Sequence, residues 1–284
     1  MSPNVITASL VEDIQHALEA GRAVGPVIAG VREATLTGIM EYGCLRWAKG
    51  PNALPPVPQP VLDTPLGKAL ASVGSGIGVR LDGPSRVRAR DIKSHVAEFA
   101  CIEKPADLDE QDWELFEARF CRSAQGAGLQ RREAGALQGA LREMAENALI
   151  HSEAPIPALV GYHVVPGMAQ FCVADVGIGV LASLRTCPDF QQIGLHKDAI
   201  REALKDGTSR FGRNKGGFGF RSVFKALVAQ WGQLRFRSGE GCVIMDGMDL
   251  AADKGEEHFP PSLPGFQVSV ACRTVEGAAL PPVI

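Results

Sequence analysis

The stretch Ala158-Leu-Val-Gly-Tyr-His-Val-Val-Pro-Gly-Met-Ala-Gln-Phe-Cys-Val-Ala174 decides how the chain is read. Two apolar runs rich in valine and aromatic residues flank Pro166-Gly167, a pair suited to a tight turn, so the spacing predicts an antiparallel hairpin of strands 158–165 and 168–174. Upstream, Asp109-Glu-Gln-Asp112 supplies an acidic start for a helix through Trp113, Phe116 and Phe120 that ends near Gly126, and the aromatic spacing is that of core packing. A second helix is expected from Arg131 to His151, with Leu137, Leu141, Met144, Ala145 and Ala148 as its apolar face. Downstream come a helix over 198–205, a polar, turn-prone segment read as a lid over 206–215, a helix over 219–230, and strands 233–238, 242–246 and 266–272. Helices, a hairpin, further helices and then three strands predict an α/β fold. The expected form is a two-layer α/β sandwich, a mixed sheet with helices on one face and antiparallel pairing in its second half.

The N-terminal part reads less clearly. Leu10, Ile14 and Leu18 recur every four residues and predict a short helix over 9–20. Pro51-Asn-Ala-Leu-Pro-Pro-Val-Pro-Gln-Pro60, with Pro65 soon after, is expected to run as an extended connector over 51–65. Gly74-Ser-Gly-Ile-Gly78 has the glycines of a phosphate loop but no preceding strand and no following lysine, and is read as a turn. The expected organisation is an N-terminal region 1–105 of unknown role, a domain over about 106–275, and a tail 276–284.

Composition bounds what such a chain can do. Of 284 residues, 45% are apolar and 21% charged, which is ordinary globular usage and unlike the profile of disorder. A net charge of -3 offers no general attraction to nucleic acid, so no nucleic-acid partner is expected. The seven scattered cysteines contain no Cys-x-x-Cys pair and read as reduced core thiols. No apolar run reaches the ~18 residues of a membrane span, and the start Met-Ser-Pro-Asn lacks the pattern of a secretory signal, so a cytoplasmic protein without membrane attachment is expected.

Three segments carry chemistry. Glu143 and Asn147 stand four residues apart on one helix, so both side chains leave the same face. A carboxylate there can take a proton from water or a hydroxyl, and an amide oxygen can ligate magnesium. Such a pair also occurs on solvated helices, so its neighbours must decide. After the second hairpin strand comes Asp175-Val-Gly-Ile-Gly179, in which the aspartate can accept a hydrogen bond from an exocyclic amine and Gly177 and Gly179 allow close approach of a flat ligand; an ordinary Asp-Gly turn has the same letters. Finally, Asn214-Lys-Gly-Gly-Phe-Gly-Phe-Arg-Ser-Val-Phe224 puts Gly216, Gly217 and Gly219 before an apolar helical pattern, where free backbone N–H groups suit phosphate, with Lys215 nearest in sequence to add charge.

As an ordered set these segments resemble the GHKL superfamily of ATP-binding domains, found in histidine kinases, anti-sigma serine kinases, type II topoisomerase and mismatch-repair ATPases, and ninety-kilodalton heat-shock chaperones. Leu141-Arg-Glu-Met-Ala-Glu-Asn-Ala-Leu-Ile-His-Ser152 is similar to its asparagine box, Asp175-Val-Gly-Ile-Gly179 to its first glycine box, and Gly216-Gly-Phe-Gly-Phe220 to its second. The resemblance implies the Bergerat fold, ATP and Mg2+ as cofactors, Glu143 as general base, Asn147 as magnesium ligand and Asp175 as adenine reader. It implies that Gly217 and Gly219 shape the phosphate loop together with Lys215, Gly216, Phe218 and Phe220; His151, one turn after Asn147, is read as approaching the phosphates or, equally, as a capping or surface residue. Leu263-Pro-Gly-Phe-Gln-Val268 is similar to the Pro-Gly-Thr strand of histidine kinases, except that Phe266 replaces the hydroxyl residue; Phe220 likewise stands where a smaller aliphatic residue is common. The implied activity is a Mg-dependent ATPase or protein kinase (serine or histidine) in bacterial-type signalling. The other function compatible with the same pocket is a nucleotide-controlled binding module with little or no hydrolysis. A protein partner is expected through residues 1–105, and a homodimer is compatible with the chain.

Overall fold

The structure, a computed structural model, describes residues 4–50, 52–71, 89–90, 96–205, 208–209, 212–213, 232–246 and 255–274. The segment 214–220, with Lys215, Gly216, Gly217, Phe218, Gly219 and Phe220, lies outside the described residues, as do the expected helix over 219–230, the Gly74–Gly78 turn and the tail 276–284.

The chain opens with β1 (Val5–Ile6), α1 (Ala8–Glu19), α2 (Gly25–Ala29), β2 (Glu33–Ala34), α3 (Leu36–Lys49), α4 (Gln59–Leu62) and α5 (Pro65–Ala71). Thr7 and Thr35 cap α1 and α3, each accepting a backbone N–H in the first turn. The proline-rich connector is pinned to α3: Tyr42 Oη donates to Pro55 O at 2.7 Å, Arg46 Nε donates to Leu54 O, and Leu54 is buried. Its prolines also open α4 and α5 in first-turn positions, where the missing N–H costs nothing, which makes part of 51–65 helical.

Then follow β3 (Ala89–Arg90), β4 (Val96–Ile102), α6 (Gln111–Gly126), α7 (Arg131–His151), β5 (Ala158–Val165), β6 (Met168–Ala174), α8 (Gly179–Arg185), α9 (His196–Ala203), β7 (Thr208–Ser209), β8 (Gly212–Arg213), β9 (Gln233–Gly239), β10 (Gly241–Asp246), β11 (Glu256–His258) and β12 (Leu263–Arg273). Within the span read as a lid, β7 and β8 form a short antiparallel pair. The main sheet has the order β11-β10-β9-β12-β6-β5-β4-β3. Its strand β4 precedes residue 106 and pairs with β5 from Val96↔Val164 to Ile102↔Ala158.

Two features correct the expected layering. All described pairings in this sheet are antiparallel, so it is not mixed. Helices also cover both faces. On one face α6 and α7 bury Trp113, Phe116, Phe120, Leu137, Leu141 and Met144 against Tyr162, Phe171, Val173 and Val268. Phe120 lies 4.9 Å from the Tyr162 ring and 6.1 Å from that of Phe171, so the aromatic stripe is core. On the other face α1 and α3 bury Leu10, Ile14, Leu36, Met40 and Leu45 against Phe99, Leu159, Cys172 and Ala174. Burial on both faces explains why β5 and β6 are nearly uninterrupted apolar runs.

The second helical layer is joined to the sheet by buried charges. Arg235 on β9 donates to Glu41 Oε1 at 2.8 Å and to Glu12 Oε1 at 2.6 Å. Arg237 donates to Glu41 Oε2 at 2.6 Å, to Gln15 Oε1 and to Pro261 O. Burial alone would raise the Glu41 pKa, but Arg235 and Arg237 outweigh it and hold the carboxyl below its ordinary range. Thr37 on α3 also shares a 2.7 Å hydrogen bond with Ser269 and accepts one from Gln170. The cysteines are free thiols, as expected. No helix among the described residues is long and apolar enough to cross a membrane.

Candidate functional site

The site is assembled where the C-terminal end of α7 meets the turn that follows β6. Helix α7 starts at a capping box, in which Glu133 accepts the Gln130 backbone N–H at 2.8 Å, and its apolar stripe anchors it to the sheet. That anchoring leaves Glu143, Asn147 and His151 half-buried along its flank. Burial, helped by the negative charge of Glu146 one turn on, pushes the Glu143 pKa up to about 7.

The helix end and the turn are stitched together. Ser152, which caps α7, accepts the Ile178 N–H through its carbonyl at 2.8 Å. A Cβ at position 177 would lie 1.9 Å from that same oxygen, so only glycine fits there. The structure therefore gives Gly177 a protein backbone contact as its reason, beside the ligand approach inferred from sequence. Gly179, at φ +76°, opens α8 in the left-handed region that glycine tolerates.

Asp175 sits at the centre of this junction and is 2% exposed. Its Oδ1 accepts the Gly177 N–H at 2.7 Å, while Oδ2 is buried and has no hydrogen-bond partner among the described residues. Burial raises its pKa to about 7 despite the lowering effect of the Gly177 and Phe266 backbone N–H groups. A nearly buried carboxylate with one satisfied and one unsatisfied oxygen is a costly arrangement that a donor from outside the chain would relieve.

The opposite wall comes from β12 and β9. Between Leu263 and Phe266 the pairing of β12 with β9 shifts register, and Gly265 adopts φ +75° in that bulge. Phe266 O accepts the Asp175 N–H at 3.0 Å, and the Gln267 side-chain amide donates to Asp175 O at 3.1 Å and to Pro264 O at 3.0 Å. Ser238 Oγ accepts the Val180 N–H at 3.0 Å and donates to Gly265 O at 2.8 Å. The Phe266 ring is buried in the core under α7, 5.9 Å from Phe236.

The structure thus brings Ser152, at the C-terminal end of α7, against Gly177 and Ile178 of the turn that follows Asp175, with His151, Asn147 and Glu143 further back on the same helix. Ser152, Gly265 and Gln267 stand in segments quoted from the sequence but without a role of their own there, and Ser238 was only the end of an expected strand. The signal available was a buried-type strand interrupted by polar residues, Ser238 and Gln267, which an apolar core does not ask for. Comparison of the sequence with protein-family models found no matching family, and comparison with curated proteins found no significant match.

Proposed function

We propose that this chain binds ATP at the α7–Asp175 junction and acts as a Mg-dependent ATPase or protein kinase of the GHKL type. One observation carries the reading: the buried Asp175 carboxylate, with Oδ1 held by the Gly177 N–H and Oδ2 without a partner among the described residues, is an acceptor matched to an exocyclic amine such as that of adenine. The half of the fold formed by α6, α7 and the sheet is the two-layer, Bergerat-like unit of this proposal, and α1 and α3 add a further layer on its other face.

In this reading Asn147 would hold magnesium through its amide oxygen, and His151 would approach the phosphates. Magnesium bound with the triphosphate would supply charge neutralisation at the phosphate oxygens. Glu143 takes the proton from the attacking water or acceptor hydroxyl. Its pKa of about 7 balances the ionised fraction against basicity near neutral pH. The phosphate-loop role of Lys215, Gly216, Gly217, Phe218, Gly219 and Phe220 rests on sequence alone.

A second reading, a nucleotide-controlled module with little hydrolysis, is favoured by Phe266, whose buried ring occupies the place of the expected hydroxyl. Calorimetry with Mg-ATP and a phosphate-release assay separate the two. The enzyme reading expects turnover that Glu143→Ala removes while binding survives; tight binding without turnover in the wild type selects the module. Absence of Mg-ATP binding overturns both.

A further inference from the structure

We infer that Ser238 and Gln267 are positioning residues that set the base-reading geometry of Asp175, an inference that rests on the ATP-binding reading above. The turn from Asp175 to Val180 is held at both ends by these two side chains, and each grips the same bulge of β12. Ser238 joins Val180 N to Gly265 O, and Gln267 joins the Asp175 carbonyl to that of Pro264. None of these four side-chain hydrogen bonds belongs to the regular ladder of the sheet. Both side chains are nearly inaccessible, at 0% and 2% exposure, so water does not replace the partners they would lose.

The bulge also meets the turn directly, through backbone. A Cβ on Gly265 would stand 2.1 Å from Asp175 O and 2.5 Å from its Oδ1, so the two backbones touch and any shift of the bulge moves the carboxylate directly. Phe266 contributes its backbone carbonyl to the Asp175 N–H, but its side chain is committed to the core. Ser238 is the direct cross-strand neighbour of Phe266. It therefore brings a hydroxyl to this bulge from the adjacent strand, where the phenylalanine has none. The two side chains act through Asp175 and need not touch a nucleotide.

The experiment is equilibrium binding of Mg-ATP and Mg-inosine triphosphate to the full chain, to Ser238→Ala and to Gln267→Met. Inosine carries a carbonyl where adenine carries the exocyclic amine, so the ratio of the two affinities reports how well Asp175 meets that amine. Displacement of Asp175 that costs ATP the hydrogen bond from its exocyclic amine predicts an affinity about tenfold weaker in either variant. The affinity for inosine triphosphate should hold, so the preference collapses. A purely structural role weakens both nucleotides together, and an unchanged ratio in a folded variant overturns the inference while leaving ATP binding intact. Unfolding of both variants assigns the pair to stability and also overturns it. A wild type that prefers neither nucleotide removes Asp175 as base reader, and the inference falls with that reading.

Discussion

Replacing Asp175 with asparagine should strengthen the fold while weakening nucleotide binding, because the carboxylate is costly to bury and useful only when a ligand donor meets it. Burial holds its proton up to about pH 7, against an ordinary aspartate value of 3.8. Each tenfold change in proton affinity is about 1.4 kcal/mol, so keeping this group ionised in the fold costs on the order of 4 kcal/mol relative to the unfolded chain. The sign follows from proton counts. Below the ordinary value of 3.8 both states hold the proton and the penalty is absent. Between there and about 7 the folded chain keeps a proton that the unfolded chain has released, so stability falls as pH rises. Above that window the full penalty stands. Asparagine keeps an oxygen for the Gly177 N–H and carries no charge, but its amide N–H groups cost about 1–3 kcal/mol if one is left unpaired. The expected net gain is therefore about 1–3 kcal/mol near pH 8, or a Tm rise of roughly 2–4 °C per kcal/mol, and it should vanish or reverse near pH 4.5. Urea and thermal denaturation of the nucleotide-free protein across this pH range measure it, and calorimetry with Mg-ATP on the same samples should show strongly weakened binding. A variant destabilised by the same amount at both ends of the range would refute the assignment of a buried carboxylate without a partner for Oδ2.

The packing makes further predictions. Glu41→Gln leaves the buried Arg235 and Arg237 without their shared carboxylate and should cost about 3–5 kcal/mol in urea denaturation; a loss under about 1 kcal/mol would show that these pairs behave as solvent-exposed ones. Gly177→Ala drives a methyl into Ser152 O and should cost about 2–4 kcal/mol in the same assay. As its control, Gly139→Ala in α7 meets nothing within 4 Å among the described residues and should stabilise the protein by up to about 1 kcal/mol. Equal effects of the two alanines would contradict the stitched α7 junction.

Elements with short-range causes were legible. The apolar period between Arg131 and His151 matches α7 at both ends, and the valine-rich runs around Pro166-Gly167 match the β5–β6 hairpin. Helix α3 was missed although Leu36, Ile39, Met40, Tyr42, Cys44 and Leu45 are all buried, because a helix covered on most of its circumference shows no narrow stripe. Among the site residues, Asp175 and the two glycines of its turn were visible as letters. The reason for Gly177 was not, since it lies in the carbonyl of Ser152, a residue brought near only by packing.

The layering is where sequence and tertiary structure part. In β9 the alternation Leu234-Arg-Phe-Arg-Ser238 reads locally as one buried and one solvated face. Both arginines are instead buried under α1 and α3, because Glu41 stands 194 residues from Arg235 in sequence and 196 from Arg237, yet pairs with both. By itself, the sequence determined the helices and strands whose apolar spacing repeats within a few residues, and it picked out the aspartate and glycine letters of the junction. Only the tertiary structure decided that the sheet has two covered faces and that Ser238 and Gln267 grip the Asp175 turn. Whether a charged or polar side chain is buried depends on a partner that the chain supplies from far away, and no local pattern carries that information.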